Sequence, residues 1–285
     1  MSKTSSKFSS WEDAVQWLRE QPDQRDLVRA AYYDDPLIDA ATRYWLSEEW
    51  RAVRCLLPAK RGVALDVGAG RGIASFALAK EGFRVMALEP DGSELVGAQA
   101  IRRLAHETSL PIEVTQEFSE RLPFADASFD FVFARAVLHH TRDLPGACRE
   151  FFRVLKPGGS LLAIREHVIS HIDDLPAFLD DHPLHRLYGG ENALLPEVYT
   201  AAIREAGFVL DAVLQPFDSA VNYAPFTRDS LRREIAARVG ARLPGLQPLI
   251  RSALSVPALW FLGTRLMNRI DNRPGRLHSF QARKP

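Results

Sequence analysis

The stretch that most constrains what this chain can fold into is residues 61–72, RGVALDVGAGRG. Val63 to Val67 is apolar apart from Asp66, and the run closes on glycines at 68, 70 and 72. A short apolar run ending in a glycine turn is the pattern of a strand buried on both faces as it passes into a helix. Glycine takes positive φ without a Cβ penalty, so the chain can turn tightly and a ligand can approach the main chain. In open α/β sheets, the turn after the first strand is also where nucleotides bind.

The same alternation continues downstream. Hydrophobic periodicity predicts a helix over 72–81, a strand over 84–89, a helix over 92–107 and a strand over 111–117. A strand over 129–134, a helix over 143–155 and a strand over 160–166 follow, then the helix PEVYTAAIREAG and the strand FVLDAVLQ. Strands alternating with helices of this length imply a doubly wound α/β core, a parallel sheet covered on both faces. The expected organisation is a helical cap over 1–57, the core over 58–217, a helical insert over 218–276 and a last core strand over 277–285. In the cap, Trp11, Val15, Trp17 and Leu18 have helical spacing, and Pro36 opens a long second helix ended by Pro58. Within the insert, Pro244, Pro248 and Pro257 should break the helices.

Charge and cysteine usage exclude several classes. The 36 basic and 36 acidic side chains cancel, so no global field draws in a polyanion and no nucleic-acid partner is expected. Cys55 and Cys148 have no paired spacing and read as small apolar packers in a reducing compartment. The longest uncharged apolar run, Ser252 to Thr264, is interrupted by Pro257 and is shorter than the ~20 residues of a membrane span. A cytoplasmic protein is expected. The insert carries ten arginines, no lysine and four acids, so its basic surface beside Leu254–Leu262 could meet the inner membrane face or an anionic lipid-linked substrate. The plainer alternative is a subdomain whose apolar side packs on the core.

Several side chains are placed for chemistry. Glu89, at the end of the second strand in VMALEPDG, can accept hydrogen bonds from two ribose hydroxyls. Asp66 can face a cationic group such as an amine. Arg135 ends the fourth strand, where a half-buried guanidinium needs an anion, either a protein carboxylate or an acidic substrate. Six of the eight histidines lie between 139 and 185. His139 and His140 follow strand four, and Glu166 and His167 follow strand five, so both pairs should open onto the site. His140, Glu166 and His167 are the candidate proton acceptors, since histidine titrates near neutrality. His171 to Leu195 is long for a connection, and such segments tend to be lids. Its Gly189–Gly190 pair suits a hinge, with His185, Tyr188 and Glu191, together with His139 and Arg135, facing the acceptor. A metal set from His139, Glu166, His167 and His171 has suitable ligand types, but no spacing fixes it, and no metal is expected.

DVGAGRG, ALEP, ERLPFADASFDFVFA and RVLKPGG, in this order and at these spacings, resemble the class I S-adenosylmethionine-dependent methyltransferases. The resemblance covers residues 60–167 closely and the remainder loosely. It implies a Rossmann-like, doubly wound, mostly parallel seven-stranded sheet with an antiparallel last strand, LHSFQARK, and 218–276 as an insertion before it. It implies S-adenosyl-L-methionine as cofactor, with Asp66, Gly68, Ala69, Gly70 and Gly72 at its methionyl and ribose part. Glu89 and Pro90 would meet the ribose diol, Phe118, Ser119 and Glu120 the adenine, and Arg135 the donor–acceptor boundary. Many relatives have Asp at position 118, so here backbone, Glu120 or stacking on Phe118 must replace that contact. The run ARAVLHHTRDLP…REHVI…DDHPLHRLYGGENA is similar to bacterial methyltransferases found with surface-polysaccharide assembly, which favours O-methylation of a sugar or lipid-linked glycan. A small natural product or quinone-like acceptor is the alternative, and a non-catalytic donor-binding partner is a third reading. A nicotinamide-dependent reductase fits poorly: its third fingerprint glycine would fall at Ile73, and no Tyr-x-x-x-Lys pair occurs.

Overall fold

The computed structural model describes residues 8–242 and 245–285. The N-terminal part forms α1 (Trp11–Glu20), α2 (Arg25–Ala30), α3 (Leu37–Trp45) and α4 (Glu48–Arg54). The single long helix expected after Pro36 is therefore two. The break comes at Ser47, whose hydroxyl accepts from the Trp50 N–H at 3.1 Å and caps α4.

The strands are β1 (Val63–Val67), β2 (Arg84–Leu88), β3 (Ile112–Thr115), β4 (Phe129–Arg135), β5 (Leu155–Val168), β6 (Val209–Leu214) and β7 (Arg276–Arg283). Between them run α5 (Ile73–Lys80), α6 (Ala98–Thr108), α7 (Leu144–Val154), α8 (Leu175–Asp181), α9 (Pro183–Tyr188) and α10 (Pro196–Glu205). The insert holds α11 (Ala220–Tyr223), α12 (Arg228–Arg242), α13 (Gln247–Ser255) and α14 (Pro257–Ile270). Pro248 and Pro257 stand in the first turns of α13 and α14, where a missing N–H costs nothing; Pro244 lies outside the described residues.

The sheet order is β3-β2-β1-β4-β5-β7-β6, parallel except for β7, which pairs antiparallel with both neighbours. This is the seven-stranded arrangement expected from the sequence. Alternate strand residues feed two cores. Leu65, Val67, Val132, Ala134, Leu161 and Ala163 pack with Phe151 of α7 and Tyr199 of α10. Ala64, Phe131, Phe133, Leu162 and Ile164 pack with Trp50 of α4, α5 and Ile101 of α6 on the other face. The order reverses at β1, whose neighbours β2 and β4 lead their chains away to opposite sides and open a crevice beyond their carboxyl ends.

Two local departures matter for the site. The helix expected from 92 starts at Ala98, because Asp91 holds a turn: its carbonyl accepts from Ala98 N–H at 2.7 Å and its carboxylate from Ser93 N–H at 2.8 Å. Strand β5 does not stop at 166 but runs to Val168 through a bulge, with Arg165 at φ +61°. A bulge re-aims the side chains beyond it. Cys148 is buried as expected, whereas Cys55 is exposed at the end of α4. Among the described residues no helix is long and apolar enough to cross a membrane.

The N-terminal helices are fastened to the sheet through one carboxylate. Glu49 of α4, 2 % exposed, accepts from Arg135 Nε at 2.6 Å and Nη2 at 3.1 Å and from the Tyr44 hydroxyl at 3.1 Å, with Arg165 Nη1 3.5 Å away. Removing it leaves two half-buried guanidinium groups without that counter-ion, a loss of up to about 3–5 kcal/mol. Glu49→Ala is expected to lose stability on that scale in urea denaturation, and a loss below about 1 kcal/mol would show that the pair does not hold the cap.

Candidate active site

A cavity of about 770 Å³ opens at the carboxyl ends of β1, β2, β4 and β5. Its floor is the glycine loop. Gly68, Gly70 and Gly72 all have positive φ. A Cβ on Gly68 would come within 2.6 Å of Val137, whereas one on Gly70 would meet nothing and project into open space. The loop is thus packed beneath and vacant above, a cradle with room for a ligand lying on its backbone.

One half of the cavity gathers the residues expected for the donor: Asp66, Gly68, Ala69, Gly70, Glu89, Pro90, Phe118, Ser119 and Glu120 all line it. Gly72 does not; it closes the turn against Ile101 as α5 begins. Glu89 is held by two backbone donors, Gly70 N–H at 2.7 Å and Asp91 N–H at 3.0 Å. Burial outweighs both and pushes its pKa up to about 7. Asp66, also raised to about 7 by burial, accepts from Ser75 Oγ at 2.6 Å and so ties β1 to α5. Glu120 is largely used by protein: it accepts from Arg142 N–H at 2.8 Å and from Ser119 Oγ at 3.2 Å. Phe118 is 53 % exposed, with the Arg142 guanidinium 5.5 Å over its ring.

The other half is built around four histidines and Glu191. His139 is buried, and its Nδ1–H donates to Glu166 at 2.6 Å, leaving Nε2 without a partner. Burial disfavours its charge, but Glu166 and Glu191 outweigh burial and raise its pKa. His167 donates from Nδ1 to the Gly275 carbonyl at 2.9 Å; burial beside His139 holds it neutral, so Nε2 carries a lone pair. His140 donates from Nδ1 to the Gly190 carbonyl at 2.8 Å. Glu191 lies 3.7 Å from His139, 3.8 Å from His140 and 3.9 Å from His182.

Several sequence-based assignments change. Glu166 is fully buried, does not line the cavity, and accepts from the Val137 and His139 N–H groups as well as the His139 ring, so it is not placed to act as a base. Arg135 lines the cavity and pairs there with Glu49, a protein carboxylate. His185 does not line the cavity, and His171 is exposed in the turn before α8, its N–H held by Asp174. The expected lid is not structureless: it carries α8 and α9, the latter capped by His182, and Tyr188, Gly189, Gly190 and Glu191 reach the cavity. Among the described residues α12, α13 and α14 contribute nothing to the lining, because they stand away from the carboxyl edge of the sheet.

Aromatic and charged lining residues that escaped the sequence come from distant elements. Trp11, Tyr32 and Tyr33 come from the N-terminal helices, and Arg165 from the β5 bulge. Arg71, between two loop glycines, explains the tyrosines: its Nη1 donates to the Tyr32 and Asp34 carbonyls at 3.0 Å each, and its Nη2 pairs with Asp35. The α2–α3 connection is thereby drawn over the glycine loop. The adjacent Tyr32–Tyr33 pair was the one available signal.

Residues 65–163 match a family model described as a methyltransferase domain. The chain is 31 % identical over 196 residues to 27-O-demethylrifamycin SV methyltransferase of Amycolatopsis mediterranei, covering 67 % of this chain and 68 % of that one. It is 34 % identical over 107 residues to ubiquinone biosynthesis O-methyltransferase of Methylobacterium nodulans, covering 38 % and 42 %. Its fold resembles phosphoethanolamine N-methyltransferase 2 of Haemonchus contortus in complex with S-adenosyl-L-methionine, with a TM-score of 0.53, 22 % identity, and coverage of 92 % and 60 %. The chain spans only about a quarter to two fifths of the length of several curated relatives it matches. It belongs to the class I S-adenosylmethionine-dependent methyltransferases, and the donor is its cofactor. The cradle above Gly70, where a Cβ would meet nothing, and the carboxylate of Glu89 beside it fit that donor.

A carboxyl group whose pKa is raised on folding takes up protons that the unfolded chain has already released. Stability therefore falls as pH rises from about 4.5 towards 7, by about 3 kcal/mol at most for Glu89, with Asp91 and Asp66 adding to the repulsion. Glu89→Gln escapes this cost. Relative to wild type, the variant should gain about 1–3 kcal/mol between pH 5 and pH 8 in denaturant titrations without ligand. A stability difference independent of pH would show that Glu89 is not strained by burial.

Proposed function

We propose that this enzyme methylates a hydroxyl oxygen of a small aromatic acceptor, phenolic or quinol-like. The observation that carries the reading is the His167 Nε2 lone pair facing a cavity walled by Trp11, Tyr32, Tyr33 and Tyr188. Aromatic walls suit a flat ring. Imidazole is a weak base, matched to a phenolic proton with an ordinary pKa of about 10 far better than to an aliphatic alcohol. The relatives named for a rifamycin derivative and for ubiquinone biosynthesis support the same class. Nothing in the lining or the relatives speaks for the sugar or lipid-linked glycan that the sequence favoured.

On this reading Glu89 accepts from the ribose hydroxyls, the glycine loop carries the methionyl and ribose part, and Phe118 covers the adenine. The donor supplies an activated sulfonium methyl, so the protein has only to align the acceptor oxygen behind it and take a proton. His139, oriented by Glu166, and Glu191 fix the polar edge of the acceptor, and Tyr188 lies tilted against Trp11, ring centroids 5.7 Å apart, in the same wall.

Donor binding by calorimetry followed by an acceptor screen tests this. Glu89→Ala should weaken donor binding about 10-fold or more. His167→Ala should keep donor affinity while turnover of phenolic acceptors falls about 10²–10⁴-fold. Turnover unchanged by His167→Ala, or methylation of sugars or amines in preference to phenols, would overturn the assignment.

A second reading concerns the insert. Leu259, Phe261, Leu262, Leu266 and Ile270 of α14 are exposed, and Arg265 stacks over Phe261 at 4.6 Å. Apolar side chains beside arginines fit an anionic bilayer surface. The protein should sediment with vesicles containing anionic lipid but not with neutral ones, and Leu262→Glu with Leu266→Glu should abolish this. Equal sedimentation with both vesicle types, or none, would remove the membrane from the account.

A further inference from the structure

We propose that His139, His167 and Glu191 form a binding site for one divalent transition metal at the acceptor end of the cavity. The ligand atoms of these three side chains all lie within 4.8 Å of one another, one from each of three separate elements. The chain therefore brings together, from the turn after β4, the end of β5 and the loop after α9, two imidazole nitrogens and a carboxylate.

The orientation of the rings is the stronger argument. A metal-binding histidine commonly donates its other ring N–H to a carboxylate or backbone carbonyl, which fixes the tautomer and aims the ligating nitrogen. Both histidines here do this. His139 donates from Nδ1 to Glu166 at 2.6 Å, and His167 from Nδ1 to the Gly275 carbonyl at 2.9 Å. Glu166 is itself locked by two backbone N–H groups. What remains is the Nε2 of each ring; that of His139 is buried without a hydrogen-bond partner, Glu191 being 3.7 Å off, and a metal ion would take the place of the proton that the two carboxylates favour there. An unsatisfied buried polar atom calls for an explanation, and a metal ion supplies one.

Geometry and ligand type narrow the ion. Ligands at about 2.0–2.1 Å around a tetrahedral centre stand about 3.3 Å apart. His139 Nε2 and Glu191 Oε2 are 3.7 Å apart, so a small inward movement of Glu191 completes the set. Glu191 follows Gly189 and Gly190, both at positive φ, which gives its loop that freedom. Two nitrogens and one oxygen suit zinc, iron(II), cobalt(II), nickel(II) or manganese(II) better than magnesium or calcium. The remaining coordination positions open into the cavity. On the hydroxyl-acceptor reading they would take the acceptor oxygen and lower its proton affinity, a role that would replace His167 as the base, since its one free lone pair would then be held by the metal. That role rests on the proposed function, but the site itself does not.

The test uses full-length protein stripped with chelator, without donor or acceptor, titrated with Zn²⁺ by calorimetry and with Co²⁺ by visible absorption. Wild type should bind one equivalent and develop Co²⁺ ligand-field bands. His167→Ala and Glu191→Gln should each weaken binding about 10-fold or more, and Glu166→Gln, acting through His139, by about 10–100-fold. Glu191 sits on a loop, so its variant should keep the fold, to be checked by circular dichroism. No stoichiometric binding by wild type, or binding that survives both His167→Ala and Glu191→Gln, would overturn the site. Because no methyl transfer is measured, a wrong acceptor assignment would leave this result intact.

Discussion

The site depends on a carboxylate that never reaches its surface. Glu166 is fully buried, yet three donors converge on it: the N–H groups of Val137 and His139 and the ring of His139. Burying a charge is tolerable only when it is paired and hydrogen-bonded, as this one is. The arrangement fixes the chain after β4 against β5. It thereby sets where His139 points, how far the loop stands above Gly68, and where acceptor and donor halves meet. Val137 is held by Glu166 on one side and packs on Gly68 on the other, so the acceptor loop and the glycine floor form one piece.

The bulge in β5 is what makes this possible. With Arg165 at positive φ, the strand shifts its facing, Glu166 turns inward to His139, and His167 turns towards the cavity. Arg165 itself reaches the Val221 and Ala224 carbonyls and the neighbourhood of Glu49. One irregularity therefore couples the sheet to the cap, to the start of the insert and to the acceptor side. A non-glycine residue at positive φ is strained, and such strain gathers where function needs a particular side-chain direction.

The two halves of the cavity have opposite electrostatic demands. The donor half holds two carboxyl groups, Asp66 and Glu89, whose charges are disfavoured by burial and by each other. A cationic, hydroxyl-rich ligand relieves both. The acceptor half collects histidines around Glu191 and keeps ring nitrogens available. The aromatic cap closes over both, through Trp11, Tyr32 and Tyr33, and Arg71 carries that closure directly into the glycine loop. Donor binding and cap position are thus neighbours in one hydrogen-bonded unit.

By itself the sequence determined the sheet, its order of elements, the glycine cradle and Glu89, because each is a local pattern: apolar runs, glycines at fixed spacing, an acid at a strand end. It also named His167 and Glu191, both of which line the cavity. It could not separate Glu166 from His167 as a base, since both are polar residues at a strand end. Only burial and the β5 bulge show that Glu166 is turned into the protein while His167 lines the cavity. Nor could it decide between a protein and a ligand partner for Arg135, because Glu49 lies 86 residues earlier. The same holds for Trp11 and the tyrosines, which reach the cavity only through the docking of α1–α4. Pairings between distant segments follow from packing and from the need to neutralise buried charge, and these are properties of the tertiary structure alone.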